Sequence, residues 1–152
     1  MTVNEVVPDF QAIIQTNETI QLSDYRGRNV LLYFYPKNHS HGCTQEAQEF
    51  RDNYAQFVEL NTVILGVSRD VVNSHVYFKN KHNLPFDLIS DADETLCQSF
   101  DVIIPKTVWG KSLSGIARSS FLINAEGVLV KEWRKVKVKG HVQTVLTFLH
   151  TI

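Results

Sequence analysis

Two strand-length apolar runs constrain the fold of this chain more than any other feature. The first reads NVLLYFY over residues 29–35, and the second reads TVILGVS over residues 62–68. Near-continuous apolar runs of this length are typical of strands that are buried on both faces of a sheet. Between them, apolar residues recur at steps of three and four from Thr44 to Leu60, which predicts an amphipathic helix; they are Ala47, Phe50, Tyr54, Phe57 and Val58.

Shorter segments complete a predicted α/β architecture. Strands that alternate with helices, followed by a hairpin and a last helix, indicate a mixed central β-sheet with helices on both faces. No repeat or linker interrupts the chain, so we predict a single domain over residues 1–152. The remaining predicted elements are an N-terminal hairpin over 9–22, a helical turn at 22–25, helices over 70–82 and about 93–100, a strand over 86–90, a loop over 104–118, strands over 119–123 and 128–133, and a helix over 140–152.

Charge and composition exclude several classes of function. Fifteen basic and sixteen acidic residues give a formal charge of −1, which offers no electrostatic case for binding nucleic acid or an anionic membrane. The basic run from Lys131 to Lys139 does not change this, because its Lys/Val alternation after Arg134 fits a strand with one solvated face. No apolar run approaches the ~20 residues of a membrane span. The N-terminus lacks the features of a signal peptide, so we expect a cytoplasmic protein.

Cys43 is the candidate reactive residue, because it lies where an apolar strand gives way to a helical pattern. A helix N-terminus supplies N–H donors and partial positive charge, which stabilise a thiolate. The chain has no C-x-x-C pair for disulfide exchange, and a Cys–His hydrolase would need His39 or His41 to be held against the thiol. Three alternate residues of one loop, His39, His41 and Cys43, rarely surround one metal ion. Direct oxidation of the thiolate by a peroxide is the remaining class of reaction.

The residues around Cys43 carry a family resemblance. Residues 36–43, PKNHSHGC, match P-x-x-x-[TS]-x-x-C, the active-site motif of the peroxiredoxins. The chain resembles the bacterioferritin comigratory protein, or peroxiredoxin Q, subfamily over nearly its whole length, which implies a thioredoxin-like fold. The matching segments are VPDF (7–10), LSDYRG (22–27), LYFYPK (32–37), GCTQEAQEFRD (42–52), LGVSRD (65–70), LPFDLISD (84–91), GIARSSFLI (115–123) and WRKVKVKGH (133–141).

The resemblance implies a role for four residues. Cys43 takes the position of the peroxidatic cysteine, and Ser40 that of the hydroxyl that hydrogen-bonds the peroxide and the thiolate. Pro36 would shield the sulfur from water. Arg118 matches the active-site arginine, whose permanent charge suits both thiolate and transition-state stabilisation.

The chain also departs from the subfamily. Gln48 stands where many members carry a resolving cysteine, and residues 78–80, an alternative position, contain none either. Only Cys97 remains as a possible resolving thiol, and a disulfide with Cys43 would need Cα atoms within about 7 Å. A buried packing cysteine explains Cys97 equally. His41 replaces the usual proline before Gly42, which alters the rigidity of the loop.

These observations predict a thiol-dependent peroxidase that reduces hydrogen peroxide and organic hydroperoxides through a cysteine sulfenic acid. A one-cysteine mechanism with thioredoxin, glutaredoxin or a small thiol as reductant is expected, without a metal or an organic cofactor. A two-cysteine mechanism through Cys43 and Cys97, and a non-enzymatic peroxide sensor, stay open as alternatives. A monomer or a weak dimer is expected.

Overall fold

The computed structural model describes residues 1–152 and contains a mixed sheet of seven strands, together with a separate two-stranded sheet. The strand order in the large sheet is β2-β1-β5-β4-β3-β8-β9, which confirms the predicted mixed α/β sheet. The strands are β1 (Gln11–Ile14), β2 (Thr19–Gln21), β3 (Asn29–Phe34), β4 (Thr62–Ser68), β5 (Asp87–Ser90), β6 (Ile103–Val108), β7 (Lys111–Ile116), β8 (Ser119–Ile123) and β9 (Leu129–Trp133).

Five α-helices pack on the two faces of the large sheet. They are α1 (His41–Asp52), α2 (Tyr54–Glu59), α3 (Val72–His82), α4 (Thr95–Ser99) and α5 (His141–Leu149); a 3₁₀ turn spans Leu22–Tyr25. No helix is long and apolar enough to cross a bilayer.

The strand β3 lies inside the sheet and divides the core in two. It pairs in parallel with β4 and antiparallel with β8, so no edge of its backbone is free. Because side chains alternate along a strand, Leu31 and Tyr33 face one half of the core, and Leu32 and Phe34 face the other. The first half contains buried residues of α1, α2, α3 and α5, and the second contains those of α4.

The predicted helix from Thr44 to Leu60 is wrong in its bounds. The chain forms two helices that meet at Asn53, whose backbone leaves the helical conformation. The first helix also begins earlier, at His41, because Ser40 takes the N-cap position and its side chain accepts a hydrogen bond from Cys43 N–H.

The predicted loop over 104–118 is also wrong, because strands β6 and β7 form a hairpin there. Trp109 and Gly110 connect the strands, and both have positive φ angles of 53° and 75°. Two such residues make the tight turn that matches the twist of a hairpin. Pro105 is tolerated because each strand of a two-stranded sheet has one unpaired edge.

The predicted strand over Lys135–Lys139 is an irregular segment instead. The antiparallel pairing of β8 with β9 ends here, since Trp133 already pairs with Ser120 at the start of β8. The predicted alternation of faces nevertheless holds: the lysines are exposed and the two valines between them are half-buried. We call residues 134–139 the basic strap.

Candidate active site

The position of Cys43 follows from the end of β3. The chain leaves the sheet after Phe34, crosses a short loop and enters α1 at His41. Ser40 caps the helix: its Oγ lies 3.4 Å from Cys43 N and 3.3 Å from the carbonyl oxygen of Lys37. Cys43 is therefore held in the first turn of α1, where the residue is only 1% exposed.

Arg118 reaches Cys43 because of the register of β8 against β3. Ser119 pairs with Phe34, the last residue of β3. The preceding Arg118 therefore lies at the end of the strands where the Cys43 loop begins. Its Nη2 donates to Cys43 Sγ at 3.4 Å, and no other side chain hydrogen-bonds this sulfur. Gly42 permits the approach, because a Cβ at that position would lie 3.2 Å from Arg118 Nη2.

Glu46 completes the arrangement, and no sequence motif marks it. It lies one turn after Cys43 on α1, and its Oε1 accepts a hydrogen bond from Arg118 Nη1 at 2.7 Å. The Glu46 side chain is 1% exposed, and its Oε2 has no partner. Burial raises the pKa of Glu46 to about 7, although the charge of Arg118 opposes this rise. A glutamate among the apolar positions of an amphipathic helix was the available signal.

Asn38 anchors the loop before Cys43 to α3. Its side-chain oxygen accepts from the Tyr35 hydroxyl at 2.8 Å, and its amide nitrogen lies 3.0 Å from His75 Nδ1 and from Ser74 Oγ. The other ring nitrogen of His75 lies 2.9 Å from the carbonyl oxygen of Ile89, which can only accept. His75 Nε2 therefore carries the proton and Nδ1 accepts from Asn38. Sequence patterns contain no signal for these long-range hydrogen bonds.

The loop histidines are not held against the thiol. The ring of His39 packs against Tyr77 and Phe78 of α3, with centroid distances of 5.3 and 5.2 Å. His41 opens α1 and is exposed. No group of three His, Cys, Asp or Glu side chains is placed to hold a metal ion. A Cys–His hydrolase or a metal centre thus has no geometric support at this loop.

The structure does not bring Cys97 to this site. Cys43 and Cys97 belong to the two core halves on opposite faces of the sheet, and both are free thiols. Asp91 accepts hydrogen bonds from the backbone N–H groups of Leu96 and Cys97. Burial, together with Asp91, raises the pKa of the Cys97 thiol far above its usual range.

Pro36 lies at the start of the Cys43 loop, two residues beyond β3.

The arrangement can support nucleophilic attack by a buried sulfur. It offers one thiol, one fixed cation at hydrogen-bond distance, and a carboxyl group that shares the cation. No general base hydrogen-bonds the sulfur, and none of the three surface cavities is lined by Cys43. Such a site suits a small electrophile whose leaving group develops negative charge near Arg118.

Comparison with known families gives one match over most of the chain. Residues 3–132 match the AhpC/TSA family. Among curated proteins, the peroxiredoxin Bcp of Bacillus subtilis is 50% identical over 147 residues, which is 97% of this chain and 94% of that protein. The peroxiredoxin Bcp of Escherichia coli is 37% identical over 145 residues, covering 95% of this chain and 93% of that protein.

Solved structures agree with these relatives. The bacterioferritin comigratory protein of Xanthomonas campestris, solved in a study of its alkyl peroxide reduction activity, superimposes with a TM-score of 0.89 at 42% identity, covering 93% of this chain and 90% of that chain. A cysteine-to-serine mutant of peroxiredoxin Q from Xylella fastidiosa superimposes with a TM-score of 0.94 at 39% identity, covering 99% of this chain and 96% of that chain.

Proposed function

This chain belongs to the AhpC/TSA family, in its bacterioferritin comigratory protein or peroxiredoxin Q subfamily, and from that premise we propose that Cys43 reduces hydrogen peroxide and organic hydroperoxides. The enzyme is a thiol peroxidase, like the relatives that it matches. The observation that carries the assignment to Cys43 is its hydrogen bond to Arg118, at 3.4 Å between Sγ and Nη2.

The proposed oxidation is a displacement at oxygen. The thiolate of Cys43 attacks one peroxide oxygen, the O–O bond breaks, and the second oxygen leaves with the electron pair and takes up a proton as water or an alcohol. Cys43 becomes a sulfenic acid. Arg118 stabilises the negative charge, first on the sulfur and then on the departing oxygen.

Ser40 and Pro36 are proposed to shape the same step. The Ser40 hydroxyl caps the turn that carries Cys43, and it can rotate to hydrogen-bond a peroxide. Pro36 has no N–H and a fixed φ, so it makes the loop stiff where it leaves β3. Both residues belong to the loop that Asn38 ties to α3.

We propose a one-cysteine cycle. An external thiol condenses with the sulfenic acid to give a mixed disulfide and water, and a second thiol then releases Cys43 and the oxidised donor. No second cysteine lies on the same face of the sheet as Cys43, which supports a donor that comes from outside the chain. The donor is thioredoxin, glutaredoxin or a low-molecular-weight thiol.

The test is the substitution Cys43→Ser, which should abolish peroxide consumption because serine is a far weaker nucleophile at neutral pH. Cys97→Ala is the matched control, since it changes the other buried cysteine. Peroxide loss is followed with an excess of dithiothreitol, and folding of each variant by circular dichroism. Retained turnover in folded Cys43→Ser protein would contradict the assignment of peroxide reduction to Cys43.

A non-enzymatic peroxide sensor is the second candidate, and the same missing partner thiol favours it. A sulfenic acid that no internal thiol can reach persists long enough to modify another protein. Stopped-flow measurement of the first oxidation separates the two. A rate constant like that of free cysteine indicates a sensor, and a rate constant orders of magnitude higher indicates a peroxidase.

A further inference from the structure

The basic strap lies directly against the candidate active site. Val136 N–H donates to the carbonyl oxygen of Arg118 at 2.9 Å. On the other side, Val138 Cγ2 would lie 3.8 Å from a Cβ at Gly42, the residue before Cys43. The two valines are half-buried against the site, and Lys135, Lys137 and Lys139, which alternate with them, are exposed.

These lysines carry uncompensated charge. None of them forms an ion pair, because the four salt bridges of the protein all use arginine. Lys37, exposed on the Cys43 loop, adds a fourth cation. The whole chain has a formal charge of −1, so the remaining residues together carry −5. The strap and the Cys43 loop therefore carry positive charge on a protein whose remaining residues are acidic in sum.

One of the two reactants of the proposed cycle can use this charge. Hydrogen peroxide is neutral and gains nothing from exposed lysines. The reducing thiol must be recognised from outside the chain, and it attacks as an anion. The sulfur that it must reach is 1% exposed and lies in no open cavity, which favours a small molecule.

We propose, on the basis of the function proposed above, that the basic strap recruits the reductant, and that this reductant is a low-molecular-weight thiol bearing carboxylate or phosphate groups. The thiolate attacks the sulfenic sulfur of Cys43 and forms an S–S bond. The hydroxide that it displaces takes up a proton and leaves as water. The thiolate of a second thiol molecule attacks the sulfur of the first thiol molecule in that bond, so that Cys43 returns as a thiolate and the reductant leaves as its disulfide. The lysines hold the negative groups during both attacks.

The experiment measures the reductive step alone. Protein is oxidised with one equivalent of hydrogen peroxide and mixed with mercaptosuccinate (anionic), 2-mercaptoethanol (neutral) or cysteamine (cationic), and recovery of the Cys43 thiol is followed by quench and mass spectrometry. The strap variant carries Lys135→Gln, Lys137→Gln and Lys139→Gln. The control carries Arg26→Gln, Lys106→Gln and Lys111→Gln, an equal change of charge on the β6–β7 hairpin and on the turn before β3.

We expect the strap variant to slow the reaction with mercaptosuccinate about fivefold at low salt, leave mercaptoethanol unchanged and accelerate cysteamine. Raising the salt to about 0.5 M should remove these differences, because surface charges are then screened. The control should match the wild type with all three thiols. Comparing variant with wild type for each thiol cancels the differences in thiol reactivity.

Two results would overturn the proposal: an equal effect of the strap variant on all three thiols, or no effect on any of them. Failure of the proposed function is distinguishable, because it would appear earlier, as slow oxidation of wild-type Cys43 by hydrogen peroxide.

Discussion

Arg118 divides its charge between two partners, Glu46 at 2.7 Å and Cys43 at 3.4 Å. With a pKa of about 7, Glu46 changes its charge over the pH range in which the enzyme is assayed. Above pH 7 the ionised carboxylate binds Arg118 more strongly and withdraws it from the sulfur. We therefore expect the oxidation rate of Glu46→Gln, divided by that of the wild type, to rise about threefold between pH 6 and 8.

Single-turnover oxidation by hydrogen peroxide measures this ratio, and dividing the two rates removes the pH dependence that both proteins share. Glu59→Gln is the control, since Glu59 is an exposed residue of α2 and forms no ion pair with Arg118. A ratio for Glu46→Gln that stays flat across pH 7 would show that Glu46 keeps one protonation state.

The same residues show what sequence could predict about the site. A local motif and a family resemblance mark Cys43, Ser40 and Arg118, and the structure places the other two against Cys43. Glu46 and Asn38 were missed, because their partners lie 72 and 37 residues away and meet them only through the register of the sheet. A polar residue in a helix or loop does not reveal in its sequence context whether such a partner exists.

At the scale of elements, the loop that carries Cys43 is fixed by α3 through Asn38. Removing that side chain with Asn38→Ala leaves the buried His75 Nδ1 and Tyr35 hydroxyl without a partner. We expect a loss of about 2–3 kcal/mol in the free energy of unfolding, since each orphaned buried group costs about 1–3 kcal/mol. Oxidation of Cys43 should also slow, because Ser40 and the first turn of α1 lose their support.

Urea unfolding measures the loss in stability, and Asn73→Ala on the exposed face of α3 provides the control. A variant with unchanged stability would contradict the hydrogen-bond network. A variant with reduced stability but unchanged oxidation would show that the loop keeps its conformation without Asn38.

Among the elements, the sequence predicts a strand most accurately where both faces of that strand are buried. β3 and β4 were predicted nearly to the residue, because a continuous apolar run admits few alternatives. The sequence of the β6–β7 hairpin predicts a loop, since its strands are largely exposed and its turn uses Trp109 at a positive φ. Glycine and proline mark a turn in a hairpin and in an irregular loop alike. Only the backbone pairing of the flanking residues distinguishes the two.

For the whole molecule, two buried groups tie stability to pH in opposite directions. His141 lies against Ser120, and burial, with the charge of Arg118, lowers its pKa to about 4. The unfolded chain binds this proton near pH 6.5, so stability is lost as the pH falls from about 6.5 towards 4. Glu46, with its raised pKa, contributes stability below about 4.5 that is lost as the pH rises through 7.

The variant His141→Gln should therefore flatten the acid side of the profile. Glutamine keeps a polar partner for Ser120 but does not titrate, so the wild type should lose up to about 3 kcal/mol more than the variant between pH 6.5 and 4. Urea unfolding at intervals of half a pH unit provides the measurement, and His150→Gln, an exposed histidine one residue beyond α5, is the control. Parallel profiles would contradict a buried neutral His141.

The sheet itself decides whether a disulfide between Cys43 and Cys97 is available. The two thiols lie in core halves on opposite faces, so joining them within the ~7 Å that a disulfide allows between Cα atoms would require the sheet to open. We therefore expect no Cys43–Cys97 linkage after one equivalent of peroxide, as checked by peptide mass spectrometry without reductant. Cys97→Ala should keep its turnover with an external thiol within about twofold and lose about 1 kcal/mol of stability from the small cavity. A linkage in the wild type, together with lost turnover in that variant, would show that Cys97 resolves the sulfenic acid and that the external thiol reduces the resulting intramolecular disulfide.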